Sequence, residues 1–161
     1  MKLKTLKFKN KLLSNVIRDS LGFYLNNLLP ESKTKRLTIK VVSKPNIAFD
    51  ASCEKTGRFQ YLIEVKSAIL DDIDLLLISL AHETVHIKQY TTKELSVAYT
   101  KHEAVDVWKG KRYRETNYDN QPWEKEAYDA EQNLYINYLS ACYANGFISK
   151  IVTLNSTKTA G

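Results

Sequence analysis

From Lys9 to Leu29 apolar residues recur every three or four positions, at Leu12, Leu13, Val16, Ile17, Leu21, Tyr24, Leu25 and Leu28. That spacing predicts an amphipathic helix, and Pro30 follows to stop it. The period then changes. Leu37 to Val42 is β-branched and reads as a strand ending before Pro45. The stretch from Asn46 to Val65 reads as an extended pair turning near Lys55-Thr56-Gly57, and the alternation from Phe59 to Val65 suits an edge or near-edge strand.

A second helix is predicted from Asp71 to Tyr90. Asp71, Asp72 and Asp74 suit its positive amino-terminal end and Lys88 its negative one. Its first turns are apolar nearly all round, which predicts burial. Between Thr91 and Tyr118 the pattern weakens, and Val105 to Tyr113, with Gly110 between two alternating runs, reads as a short hairpin or a loop. A third helix should open with Asn120 as cap and Pro122 at its first position. It carries Trp123, Ala127, Ala130, Leu134, Tyr138 and Ala141 as one stripe and ends at Asn145-Gly146. No repeat or linker interrupts the 161 residues, so a single domain, 1–161, is expected, with a flexible tail over 154–161.

Composition narrows this picture little. Hydrophobic residues at 43% and charged ones at 26% are ordinary for a soluble globular chain. Lys and Arg outnumber Asp and Glu by 24 to 18, and part of the excess opens the chain in "MKLKTLKFKNK". Such a segment can contact nucleic acid or an anionic surface, but a solvated face is the favoured reading. Cys53 and Cys142 lack CxxC partners and are expected as reduced thiols. No signal peptide and no membrane-spanning run is recognisable, so a cytoplasmic location and no membrane partner are expected.

The chemistry concentrates in "SLAHETVHIKQY". His82 and His86 are four residues apart, so on a helix they lie one turn above each other and can direct two imidazoles at one metal ion. Glu83 is rotated by about 100°, which puts it beside the metal, where a general base is needed. The competing reading is a structural pair of histidines with Glu83 in a surface salt bridge. A catalytic zinc usually takes three protein ligands. His102 is the only other histidine, but the Gly-x-x-His spacing that would make it a ligand is missing. Glu124 and Glu126, at the start of the third helix, are better placed, and the helical wheel alone does not choose between them.

His-Glu-x-x-His followed on a later helix by Glu-x-Glu-Ala resembles the gluzincin-type zinc metallopeptidases, above all small cytosolic members from phages and bacteria. The run is also similar to that of a family of membrane peptidases. The resemblance spans about Phe59 to Ala141. It implies that the metal carboxylate is the Glu three residues before the Ala, which is Glu124, with Glu126 as runner-up. It further implies an Asp directly after that Ala, where this chain has Tyr128, with Asp129 next.

The fold expected is α+β: a compact zincin-like domain with a small, mostly antiparallel sheet packed on the His-Glu-x-x-His helix, and a later helix supplying the third ligand. The function expected is hydrolysis of peptide or protein substrates at one catalytic Zn²⁺, with Glu83 as base and Tyr113, Tyr118 or His102 as oxyanion donor. Trp108 and Tyr113 are candidate cleft walls, with core packing an equal expectation for Trp108, and the strand from Phe59 to Val65 is expected as the edge that pairs substrate backbone. Two alternatives stand beside it: a protease of the SprT type acting on DNA-associated proteins, and a non-catalytic module with a vestigial metal motif.

Overall fold

The first apolar stripe folds as a helix over 11–28, capped by Asn10, whose side-chain oxygen accepts from the backbone N–H groups of Leu12 and Leu13 at 2.9 and 3.2 Å. The computed structural model describes residues 1–6, 8, 10–99, 103–114 and 117–156. In chain order the elements are β1 (Lys2–Leu6), α1 (Lys11–Leu28), α2 (Glu31–Thr34), β2 (Thr38–Lys44), β3 (Ala51–Gly57), β4 (Gln60–Lys66), α3 (Ile73–Thr92), β5 (Leu95–Tyr99), β6 (Ala104–Trp108), β7 (Lys111–Tyr113), α4 (Pro122–Ala144) and α5 (Ile148–Ser156).

The strands form two sheets, ordered β1-β2-β4-β3 and β5-β6-β7. Pairs β1–β2 and β2–β4 are parallel, and the other three of the five pairings are antiparallel. The protein is α+β. A parallel β1–β2 pair needs a long crossover, and α1 supplies it. The inward residues Ile39, Val41, Tyr61, Ile63 and Val65 are at most 2% exposed. They share one core with the buried faces of α1 and α3, such as Ile17, Leu21, Leu76 and Leu80.

Buried tyrosines tie this core together. Tyr24 donates to the Leu77 carbonyl, Tyr138 to Asp19, and Tyr61 hydrogen-bonds Thr91. Each gives an apolar ring a satisfied polar tip. The small sheet has its own cluster of Leu95, Trp108 and Trp123. Its β6–β7 turn is a two-residue hairpin at Lys109-Gly110, both with positive φ (47° and 85°), as a primed hairpin turn requires.

Several expectations change. Strand β4 takes the near-edge place that its alternation suits, so the free edge beside α3, expected to be this strand, belongs to β3. The basic start of the chain forms β1. Asn120 lies in a 3₁₀ turn, and the residue at the cap position of α4 is Gln121, whose side chain makes no capping bond. Beyond Gly146 a further helix, α5, buries Ile151 and Leu154, so the first residues of the expected loose tail are helical. Among the described residues, no helix is long and apolar enough to cross a membrane.

Candidate metal centre

Helix α3 is buried over most of its length, including His82 (7% exposed), Glu83 (5%) and His86 (8%). Helix α4 crosses it in the opposite direction. Gln89 meets the Trp123 carbonyl near the start of α4, His82 meets Glu131, and Tyr135 reaches Asp74 near the start of α3. This antiparallel pairing sets Glu124, 6% exposed, opposite both histidines.

The three side chains converge. His82 Nε2 is 3.1 Å from His86 Nε2 and 3.2 Å from Glu124 Oε2, and His86 Nε2 is 3.4 Å from Glu124 Oε1. Ligands about 2.0–2.1 Å from a tetrahedral ion stand about 3.3 Å apart, so the spacing suits one metal. The hydrogen bonds behind the rings point the same way. His82 Nδ1 faces Glu131 Oε2 at 2.8 Å, and that carboxylate accepts. His86 Nδ1 faces Gln89 Oε1 at 2.9 Å. The Gln89 amide nitrogen donates to the Trp123 carbonyl and to Glu126, both at 2.9 Å, which fixes Oε1 as the acceptor. Both Nδ1 atoms therefore carry hydrogen, and in the neutral rings both Nε2 lone pairs aim at each other and at the Glu124 carboxylate. Three electron-rich groups in one buried place call for positive charge between them, supplied by a proton on a ring or by a metal ion. His82, His86 and Glu124 could hold a metal ion.

The electrostatics express the same demand. Burial alone would lower the His82 pKa, but the Glu124 and Glu131 carboxylates outweigh it and push it up to about 9. His86 is raised against burial by Glu124 and Glu83. Burial would raise Glu124, yet the two imidazoles and the Tyr118 hydroxyl hold it well below the usual carboxylate range. Burial raises Glu83 despite the neighbouring imidazoles.

Glu126, two residues from Glu124, goes elsewhere. It takes the Gln89 amide and the ammonium groups of Lys88 and Lys109 at 3.4 and 3.3 Å, so it braces the back of the site and does not join the ligand group. Glu83 is buried in the site and does not form a surface salt bridge. Tyr118 hydrogen-bonds Glu124 and stacks on Phe49 with ring centroids 5.4 Å apart. Tyr113 instead packs edge-on against Trp123 at 5.7 Å, and Trp108 is 7% exposed in the small cluster; neither walls the cleft. His102 lies outside the described residues.

Two adjoining hollows of about 340 and 160 Å³ share Phe49, Ala51, Glu83 and Tyr118. They make one cleft along β3, with His82 in the first part and His86, Glu124 and Trp123 in the second. A larger hollow of about 530 Å³ between α1, α4 and α5 contains none of the metal-centre residues. Cys53 lines the cleft as a free thiol whose pKa burial pushes up, and Cys142 is free and buried.

Sequence reasoning missed Glu131 and Gln89. Glu131 is seven residues after Glu124, about 20° short of two helical turns, so the pair shares a face with Tyr128 between them. The ring of Tyr128 packs against His82 at 4.8 Å. The carboxylate expected directly after Ala127 thus comes from one turn further on. Gln89 is three residues after His86, again on one face. Comparison with protein-family models, curated proteins and solved structures finds no match to this chain.

Proposed function

We propose that this chain is a zinc-dependent metallopeptidase of the gluzincin type. The observation that carries the reading is the convergence of two Nε2 lone pairs and a carboxylate next to a buried glutamate, at a cleft beside a free strand edge. Zinc is the metal preferred by two imidazoles and one carboxylate. His82, His86 and Glu124 would hold it, and it would supply Lewis acidity to a scissile carbonyl and to water.

The chain's own residues do the rest. An extended peptide adds to the open edge of β3, which aligns its backbone along the cleft by main-chain hydrogen bonds. Glu83 accepts a proton from the attacking water and returns it to the leaving nitrogen. Its raised pKa suits a group that must take a proton and give it back. The Tyr118 hydroxyl, already at Glu124, is the donor placed to meet a developing oxyanion. Glu131 and Gln89 keep the imidazoles in the tautomer that a metal requires.

Metal analysis and a peptidase assay test this reading together. Protein purified with zinc should carry about one ion per chain, and Glu83→Gln should keep the ion while losing roughly 100-fold or more of peptide hydrolysis. No bound metal after zinc supplementation would defeat the reading, as would full hydrolysis by Glu83→Gln.

A further inference from the structure

The positive charge of this protein is segregated. Residues 1–66 carry fourteen Lys and Arg against five Asp and Glu, and residues 67–161 carry ten against thirteen. The four-stranded sheet turns its buried face to the core shared with α1 and α3. Strand alternation puts Lys2 and Lys4 of β1 and Lys40 of β2 on the opposite, outer face, all exposed. The parallel register sets Lys4 directly beside Lys40. Further along, Lys44 and Lys66 have anionic partners, Glu64 at 2.7 Å and Asp50 at 3.9 Å. Among the described residues, no ion pair engages Lys2, Lys4 or Lys40.

Like charges side by side in a sheet are destabilising. Lysines on an outermost strand are commonly explained as protection against edge-to-edge pairing, and that would account for Lys2 and Lys4. It does not account for Lys40, which lies one strand in from the edge. A polyanion laid on the face would remove the repulsion.

We infer that the outer face of the sheet along β1 and β2 docks the phosphate backbone of a nucleic-acid duplex, without reading its sequence. Among the described side chains of β1, β2 and β4 on this face none is aromatic, and the apolar Val42 and Leu62 are half-buried. It therefore shows no rings on which unpaired bases would stack. What it offers along β1 and β2 is a group of exposed ammonium groups, which suits phosphates. The surface lies across the sheet from α3, so a bound duplex leaves the cleft open. The inference does not rest on the peptidase reading, and its test uses no metal-dependent signal.

The test is fluorescence anisotropy of a labelled 20-base-pair DNA duplex of arbitrary sequence with the full chain, from about 50 to 200 mM salt. The double variant Lys4→Gln/Lys40→Gln should weaken binding roughly 10- to 100-fold and flatten the slope of log K against log salt by about 1.8, the value for two lost phosphate contacts. Lys125→Gln/Lys150→Gln removes the same charge from α4 and α5 and should stay within about twofold of the wild type. Circular dichroism of both variants verifies folding. Equal losses in the two variants would overturn the assignment to this face, because net charge alone would then explain binding. So would no binding at 50 mM salt, tighter binding of single-stranded DNA, or binding confined to phosphatidylserine vesicles.

Discussion

Two carboxylates near the start of α4 stand two residues apart and meet opposite surroundings. Glu124 faces imidazole nitrogens that have lone pairs to give, an arrangement that could hold a metal ion. Glu126 faces an amide and two ammonium groups, donors that already satisfy it. Both sit low in pKa, so pKa does not distinguish a ligand from a brace, although Glu124 is buried and Glu126 only half-buried. The difference lies in what the partners bring: facing acceptors leave room for an ion, and facing donors close the position.

Breaking the ligand side should have the largest effect. Glu124→Ala should weaken zinc binding by more than about 100-fold in calorimetric titration, beyond the range typical for residues behind a ligand. Retained affinity would mean that Glu126 or another carboxylate can take its place.

An intermediate effect is expected from the groups behind the rings. Glu131→Ala and Gln89→Ala should each lower zinc affinity about 10- to 100-fold. Gln89→Ala should also lower stability by about 1–3 kcal/mol in urea unfolding, because the buried His86 Nδ1–H loses its acceptor. If Gln89→Ala lost stability with unchanged zinc affinity, the amide would serve packing alone.

The smallest effect belongs to the brace. Glu126→Gln should leave zinc affinity within about twofold and cost about 1 kcal/mol or less, as expected for a partly exposed ion-pair network. A tenfold fall in affinity would erase the distinction between the two carboxylates.

Much of this was legible before any coordinates. The four-residue spacing of His82 and His86 fixes them on one helical face, and the resemblance singled out Glu124, the residue that now faces them. Glu131 and Gln89 were not legible by type, because a Glu or a Gln in a helix has many ordinary roles. Only the pairing of α3 with α4 shows what each one touches. Strand β1 was hidden by its lysines. Lys-Leu-Lys-Thr-Leu has the period of a strand, but charge drew it into the reading of a solvated terminus. The position of β4 inside the sheet depends on β1 and β2 joining in parallel on one side, a long-range arrangement that local alternation does not encode.

The turn at Lys109-Gly110 does more than join two strands. Its left-handed backbone swings the Lys109 ammonium over the Trp108 ring, 4.6 Å from its centre, and onto Glu126. The small sheet otherwise rests on a cluster of three buried residues, apart from the main core. One side of the cleft, α3 and β3, is thus anchored in the large core, while Leu95 and Trp123 on the other side belong to the small one. A unit with so little buried apolar area opens at a lower free energy than the body it leans on. Amide hydrogen exchange should therefore be faster on β5–β7 than on α3.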